Sequence, residues 1–281
     1  MRLNQNLASL SIYREQNRVL QKQSDSIGRI SSGYKVNKTG HDPASLAKSE
    51  RLRMQIRGAQ MANRNMQDGI GMMQTTGGAL ASVNEGLIRI RDLSVKAVNS
   101  TNEAEERETI QNEISQIIEN IKDIAEWSNF NGVKLLSYNS PDKLDMPVGA
   151  NVGELVNIPT FNMTDLTDPN SVLSKLKQID VSTSNSASAA ISIVDDVLIN
   201  TLDIAGVYGA IENRFDSGYA NISELAEKMQ SAESSLRDVD VAEEMMELAK
   251  SNILIEAGNA LMAQSNKFPQ EVLRILENMR K

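Results

Sequence analysis

Between Ala190 and Leu236, residues recur at alternating steps of three and four: Ala190, Val194, Val197, Thr201, Ile204, Tyr208, Ile211, Phe215, Gly218, Ile222, Leu225, Met229, Ala232 and Leu236. Only Thr201 and Gly218 interrupt the apolar character, and no proline falls inside. That spacing is the seam of a coiled coil. At about 1.5 Å rise per residue such a helix would run about 70 Å, too long to bury its stripe on itself. Partners are predicted upstream. Leu52, Ala59, Met66, Met73, Leu80 and Leu87 keep heptad spacing, and Ile56, Ile70, Val83 and Ile90 widen their stripe. Gly58, Gly69, Gly71, Gly77, Gly78 and Gly86 each weaken a helix by about 1 kcal/mol. So many glycines imply close backbone approach to neighbours, or a kink near Gly77-Gly78.

This second tract is introduced by Gly40-His41-Asp42-Pro43, with Asp42 as N-cap and Pro43 at the first helical position. It ends at Asn99-Ser100-Thr101-Asn102, where Asn102 and Glu105 read as a capping box for a third helix. That helix carries Ile110, Ile114, Ile117, Ile121 and Ile124 and stops by Trp127; Asn131-Gly132 signals a tight turn. Val133 to Leu136 reads as a short strand, and Met146 to Ile158 as two short strands around a glycine turn. Residues 160–185 are rich in Asn, Asp, Ser and Thr and read as surface loop.

Both ends of the chain are arms with a stripe and no resident partner. At the front, Leu3, Leu7 and Leu10 lead into Tyr13, Leu20, Ile27 and Tyr34, seven residues apart. Ordering a residue's backbone costs about 1–2 kcal/mol, and a fully buried large side chain returns roughly 1.5–3 kcal/mol. With so few large side chains this arm needs a partner to stay helical, or it is a frayed N-terminal helix on a monomer. At the back, after Arg237-Asp238-Val239-Asp240, one face carries Ala242, Met246, Ala249, Ile253, Ala257 and Ala260, extended by Leu254 and Leu261; Pro269 marks a bend or new start. The predicted fold is mainly α: a long antiparallel coiled-coil helical bundle with a small β-hairpin insert and two terminal helical arms.

Composition sharpens this picture. The 281 residues are 40% hydrophobic but only 4% aromatic, so the core is aliphatic and methionine-filled, as helix seams prefer. Four of the six prolines, Pro141, Pro147, Pro159 and Pro169, crowd the middle, between long proline-free tracts. The net charge of −8 opposes nucleic-acid binding, which needs a basic surface. No run approaches the roughly 18 apolar residues of a membrane span, and the first residues lead into no apolar signal core. Cysteine is absent, so disulfides and thiol nucleophiles are excluded.

Candidate chemistry is thin. His41 is the only histidine, which excludes His-paired zinc sites. Gly69-Ile70-Gly71 lacks the third glycine and preceding strand of a dinucleotide fingerprint. Asp195-Asp196 is a carboxylate pair, but adjacent acids on a helix point to different faces; these and Asp238/Asp240 read as solvated charge. Sequons such as Asn162-Met163-Thr164 are too short to carry weight. No nucleophile, base and orienting group come together.

Taken in order, these residues resemble bacterial flagellin over most of the chain. Leu10-Ser11 followed by Ser31-Ser32-Gly33-Tyr34-Lys35-Val36-Asn37 is similar to the family's opening segment, and Asp42-Pro43-Ala44-Ser45-Leu46-Ala47-Lys48-Ser49-Glu50 to its acidic turn. Asn65-Met66-Gln67-Asp68-Gly69-Ile70, Gly78-Ala79-Leu80, Arg89-Ile90-Arg91-Asp92-Leu93 and Phe130-Asn131-Gly132-Val133-Lys134-Leu135-Leu136 follow in family order. Val148-Gly149-Ala150-Asn151-Val152-Gly153-Glu154, Gly209-Ala210-Ile211-Glu212-Asn213-Arg214-Phe215 and Ala263-Gln264-Ser265-Asn266 complete the set. Departures are His41 for an acid, Ser45 for a glycine and Glu212 for a glutamine. Residues 137–185 alone separate the helical halves, so the resemblance is to a minimal flagellin without large outer domains.

The resemblance implies inner and middle domains, each built from both ends of the chain. Residues 1–41 and 238–281 would form the inner coiled coil. Residues 42–136, the β/loop insert 137–185 and the long helix 186–237 would form the middle domain. It implies a subunit exported by the flagellar type III route that polymerises outside the cell into the filament used for swimming, with no cofactor and no catalysis. The arms, disordered in the free monomer, would pair to line the inner tube, with a filament-core seam of Leu3, Leu7, Leu10, Tyr13, Leu20 and Ile27 against Met246, Ala249, Ile253, Ala257, Ala260 and Leu261. Implied partners are further copies of the chain, a flagellin-specific export chaperone on residues 238–281, and the filament cap and hook-junction proteins. Arg89, Leu93 and Glu113 match positions contacted by the vertebrate innate flagellin receptor, while Lys96 replaces a frequent glutamine. Two other readings stand beside it, a hook–filament junction protein, which shares flagellin-like ends, and a non-flagellar coiled-coil adaptor, which fits the periodicity equally well; an enzyme is a remote third.

Overall fold

The computed structural model describes residues 6–37, 40, 42–137, 143–165 and 171–279. Its elements are α1 (Leu7–Ser32), α2 (Pro43–Val98), α3 (Ala104–Trp127), β1 (Lys143–Pro147), β2 (Leu155–Pro159), a 3-10 turn (Ser174–Gln178), α4 (Ser184–Arg237) and α5 (Val241–Met279). The chain divides into two compact units: residues 1–54 with 228–281, and residues 55–227.

The helix boundaries have local causes. Asp42 caps α2, its carboxylate accepting the amides of Ala44 (3.0 Å) and Ser45 (3.1 Å) and the Ser45 hydroxyl. These hydrogen bonds, Ser45's first, hold its carboxyl below the ordinary aspartate value. At the start of α3 the capping box is one residue further on than Asn102 and Glu105: Glu103 is the N-cap and Glu106 accepts its amide at 3.3 Å. Asn102 instead donates back to the Lys96 carbonyl (2.7 Å), which closes the connector. α2 continues through Gly77-Gly78, and α5 continues through position 269 with no new start.

In the unit of residues 55–227, the heptad stripe of α2 supplies Met66, Met73, Leu80 and Leu87, α3 adds Ile110, Ile114 and Ile121, and α4 adds Val194, Val197, Ile204, Tyr208 and Phe215, all buried. The α4 ladder is buried from Ala190 to Phe215, with Ile211 only partly covered, and Leu225 is exposed. The glycines divide. A Cβ on Gly69 would lie 2.8 Å from Met146 Sδ and 3.0 Å from the Phe215 ring, and one on Gly86 would lie 2.9 Å from Ile121; Gly77 and Gly78 meet nothing within 4 Å. Gly69 and Gly86 thus mark close approach, whereas the Gly77-Gly78 pair marks neither contact nor kink.

The insert is a two-stranded antiparallel sheet pairing Leu144 with Ile158 and Met146 with Val156. Val156 and Ile158 face the core while Leu155 and Asn157 face out. Tyr208 of α4 donates its hydroxyl to the Pro159 carbonyl (3.0 Å) and packs edge-on against Phe161. Burial pushes that phenol's pKa well above its ordinary value. Phe130 and Val133 exchange both backbone hydrogen bonds at 2.9 Å around Asn131 and Gly132, whose positive φ values of 50° and 82° make the tight turn. Leu135 and Leu136 form no strand; their carbonyls accept from Phe161 and Met163 in an irregular pairing. Residues 160–165 and 171–185 are not simply surface loop. Met163, Leu173, Leu176, Ile179 and Val181 are buried in the core, because apolar residues at short intervals pull the polar tract inward. Asp195 and Asp196 diverge as adjacent helical residues must: one pairs with Arg91 (2.7 Å), the other with Lys175 (3.1 Å).

Candidate functional site

In the unit formed by the two chain ends, α1 and α5 lie antiparallel. α1 is capped by Asn6, which accepts the Ser9 amide at 3.1 Å, and ends at Gly33, whose φ of 74° needs no Cβ. A knot of contacts closes the arms beyond that point. The Lys35 amide donates to Arg237 (2.7 Å) and the Val239 amide to Gly33 (3.1 Å). The Arg237 guanidinium stacks 4.6 Å from the centre of the Tyr34 ring and pairs with Glu50 at 2.6 Å. That hydrogen bond holds the Glu50 carboxyl below its ordinary value. Arg29 of α1 pairs with Glu244 of α5 at 2.7 Å.

Between the arms the seam is mixed, with apolar residues alternating with polar or small ones. On α1 the covered residues include Ser9, Ile12, Gln16, Val19, Gln23, Ser26 and Ile30; on α5 they include Glu244, Leu248, Ser251, Ile255, Gly258, Met262 and Ser265. Gln16 donates to Asn259, Gln23 to Asn252 at 2.6 Å, and Ser9 to Asn266 at 3.1 Å. Asn6 donates to the Ser265 carbonyl at 2.9 Å.

The expected seam residues are therefore not what α1 and α5 press against each other. Leu7, Leu10, Tyr13, Leu20 and Ile27 are all exposed, Leu7 by 68%. On α5, Met246 and Ile253 are 67% and 66% exposed, and Ala249, Ala257, Ala260 and Leu261 are exposed as well. Leu3 lies outside the described residues. Each arm thus turns a mixed stripe to its partner and leaves its expected apolar stripe outward. The apolar heptad was the obvious feature of these arms. The stripe beside it (Ser9, Ile12, Gln16, Val19, Gln23) has the same period but a hydrophobic signal diluted by its polar members.

In the other unit, Arg89 and Glu113 come together across α2 and α3 as an exposed pair, with Nη2 and Nε donating to one carboxylate oxygen at 2.6 and 3.2 Å. Leu93, one turn further along α2, is only 4% exposed and belongs to the core. Among the described residues no group of three or more carboxylates and histidines could hold a metal ion, and no helix is long and apolar enough to cross a membrane. His41 lies outside the described residues.

Comparison with known proteins agrees with this architecture. Residues 3–140 match the bacterial flagellin N-terminal helical region and residues 191–276 the bacterial flagellin C-terminal helical region. The chain is 37% identical to a flagellin of Halalkalibacterium halodurans, covering 98% of this chain and 100% of the relative. It is 33% identical to a flagellin of Bacillus subtilis, and 34% identical to a flagellar filament core protein of Treponema maltophilum, with the same coverage in each case. Among solved structures it is similar in fold to a Bacillus cereus flagellin (TM-score 0.50, 24% identity, 60% of this chain and 94% of that one). It also shares its fold with a hook-associated protein described as putative from Vibrio parahaemolyticus (TM-score 0.61, 15% identity, 70% and 100%).

Proposed function

The chain belongs to the bacterial flagellin family, and from that premise we propose that the outward apolar stripes of α1 and α5 are the surfaces through which copies of it join. It is a structural subunit of the extracellular flagellar filament rather than an enzyme, and the hook–filament junction reading is not favoured. The observation that carries the proposal is that both arms, although paired with each other, leave an apolar stripe exposed. A large apolar side chain moved from water into a packed interface gains roughly 1.5–3 kcal/mol, so the stripes supply a driving force that only other chains can satisfy. Neighbouring copies would meet Leu7, Leu10, Tyr13, Leu20 and Ile27 together with Met246, Ala249, Ile253, Ala257, Ala260 and Leu261. On this reading the unit of the two ends corresponds to the family's inner domain and residues 55–227 to its middle domain.

Leu20→Asn and Ile253→Asn test it. Both positions are exposed, so each variant keeps its helical circular dichroism, yet negative-stain electron microscopy after salt-induced assembly, seeded and unseeded, shows few or no filaments. Filaments of ordinary length and yield from both variants overturn the assignment.

Further partners are inferred from other exposed faces as well as this one. Residues 238–281, with Met245, Met246, Ile253, Leu254 and Leu261 exposed, are the segment an export chaperone would cover before passage through the type III route; deleting 242–281 abolishes that binding, and undiminished binding rejects it. The filament cap and hook-junction proteins would meet copies at the ends of the polymer. For the vertebrate innate receptor, the exposed Arg89–Glu113 pair is the contact. Leu93 contributes by shaping α2 from beneath, so Arg89→Ala and Glu113→Ala are the informative variants in a reporter-cell assay, and unchanged signals from both reject the site.

A further inference from the structure

Two exposed patches within residues 55–227 have the same spacing and opposite charge. On α2, Arg57, Met61 and Arg64 follow at steps of four and three, so they share one helix face. All three are exposed, Met61 by 54%. On α3, Glu119, Asp123 and Glu126 repeat those steps and lead into Trp127, which is 70% exposed. Residues 55–67 hold two arginines and no acid, a charge of +2. Residues 119–127 hold three acids and Lys122, a charge of −2. Among the described residues neither arginine and none of these acids has an ion-pair partner, although Arg89, Arg91 and Glu113 on the same helices do. Within one chain the patches lie apart. Gly86 backs onto Ile121 and Gly71 onto the Phe130 ring, which sets Trp127 beside a level of α2 about 20 Å beyond Met61.

Exposed charge alone reads as solvated. Each of these patches also holds a large exposed apolar side chain, in a protein with only 4% aromatic residues. A helical polymer of one chain joins two different surfaces of that chain at each contact, so a patch finds its complement elsewhere on the same sequence. We propose that the Arg57–Met61–Arg64 face of one copy docks on the Glu119–Trp127 face of another, as a contact additional to the arms. This rests on the filament-subunit reading but uses no residue of the arms. Seven helical residues span about 10 Å, so the two arginines and the two glutamates match in spacing when the helices lie side by side. Met61 and Trp127 fill the centre, thioether against indole, and an arginine beside the indole adds cation–π attraction. The apolar centre supplies binding, while the charges at the rim align the copies and reject other pairings. Parallel copies meet this way only when displaced by about 20–30 Å along the helix. Such a stagger propagates, as a filament requires.

Trp127 is the only tryptophan, so its fluorescence reads this contact. In the full unassembled chain the indole emits as a solvated ring and acrylamide quenches it freely. In filaments its emission moves to shorter wavelength and quenching falls several-fold. Emission and quenching unchanged by assembly overturn the proposal. Arg57→Glu with Arg64→Glu raises the critical concentration for seeded growth by about tenfold or more. Adding Glu119→Arg and Glu126→Arg to that chain restores both growth and the protection of Trp127. Growth indifferent to the arginine reversal, or not rescued by the second pair, also overturns the contact. All four positions are exposed, and circular dichroism of the unassembled variants checks that helix content is kept. The arms are judged separately. If Leu20→Asn and Ile253→Asn assemble normally with Trp127 protected, the arm interface falls and this contact stands; filaments of the unaltered chain with Trp127 open to quencher refute this contact and leave the arms untouched.

Discussion

At Thr201 a hydroxyl sits in a fully buried ladder position, satisfied by the Val197 carbonyl one turn back at 2.8 Å. Thr76 and Ser94 do the same on α2, through Met72 and Ile90. Such back-bonding lets a polar residue occupy a core seam at little cost, so Thr201 is a filled position rather than a gap. Thr201→Leu forces extra methylenes into packed space and lowers stability by about 1–3 kcal/mol, while Thr201→Val changes it little; urea unfolding distinguishes them. The glycines give a second contrast. Gly78→Ala meets no neighbour and stabilises α2 by about 0.8–1 kcal/mol through helix propensity. Gly69→Ala gains the same propensity but drives its Cβ against the buried Phe215 ring and Met146, so its midpoint in urea falls below that of Gly78→Ala and of the unaltered chain. Gly218 is intermediate, with Met66 Sδ 3.0 Å from its missing Cβ. Which glycines matter was not legible in their spacing, since Gly69 and Gly78 look alike until α4 and the hairpin are in place.

Helix ends were the most legible elements, because capping is settled by residues three or four apart. Asp42-Pro43 announces the start of α2, and the carboxylate accepts two amides there. Its depressed pKa makes this cap acid-sensitive in a definite direction. The stabilisation is complete above the unfolded value, near 3.9, and is lost as the pH falls through the lower folded value, where the cap is protonated. Amide exchange at Ala44 and Ser45 should therefore accelerate in that acid range, and Asp42→Asn, which keeps an acceptor without a charge, should flatten the pH dependence. Elsewhere local reading slipped by a residue or lost a distinction. Glu103 rather than Asn102 caps α3, because Asn102 is drawn back to Lys96. Residues 133–136 carry strand-like composition but bond to residues 161 and 163, which local sequence does not reveal.

For the molecule as a whole, the contrast between the two units predicts how it comes apart. Residues 55–227 hold a continuous core from α2, α3, the hairpin and α4. Among the described residues α1 fully buries Val19 and Ser26 and α5 fully buries Ser251, the rest of the seam being partly covered. Local opening is governed by buried contacts, so limited trypsin digestion of unassembled protein should remove both ends first and leave a fragment near 55–227, identified by mass. Equal protection of the ends would instead suit a self-sufficient coiled-coil adaptor. The sequence by itself determined the helical class, the hairpin, the partner helices of α4 and the family, because heptad spacing, caps and turns act over a few residues and ordered motifs need no geometry. Only the tertiary structure decided which face of each arm turns inward. Two stripes of the same period run side by side on α1, and hydrophobicity points to Leu7, Leu20 and Ile27. The face turned inward instead carries Ile12, Val19 and Ile30 with Ser9, Gln16 and Gln23, because its partners on α5 lie more than two hundred residues away and only folding brings them opposite.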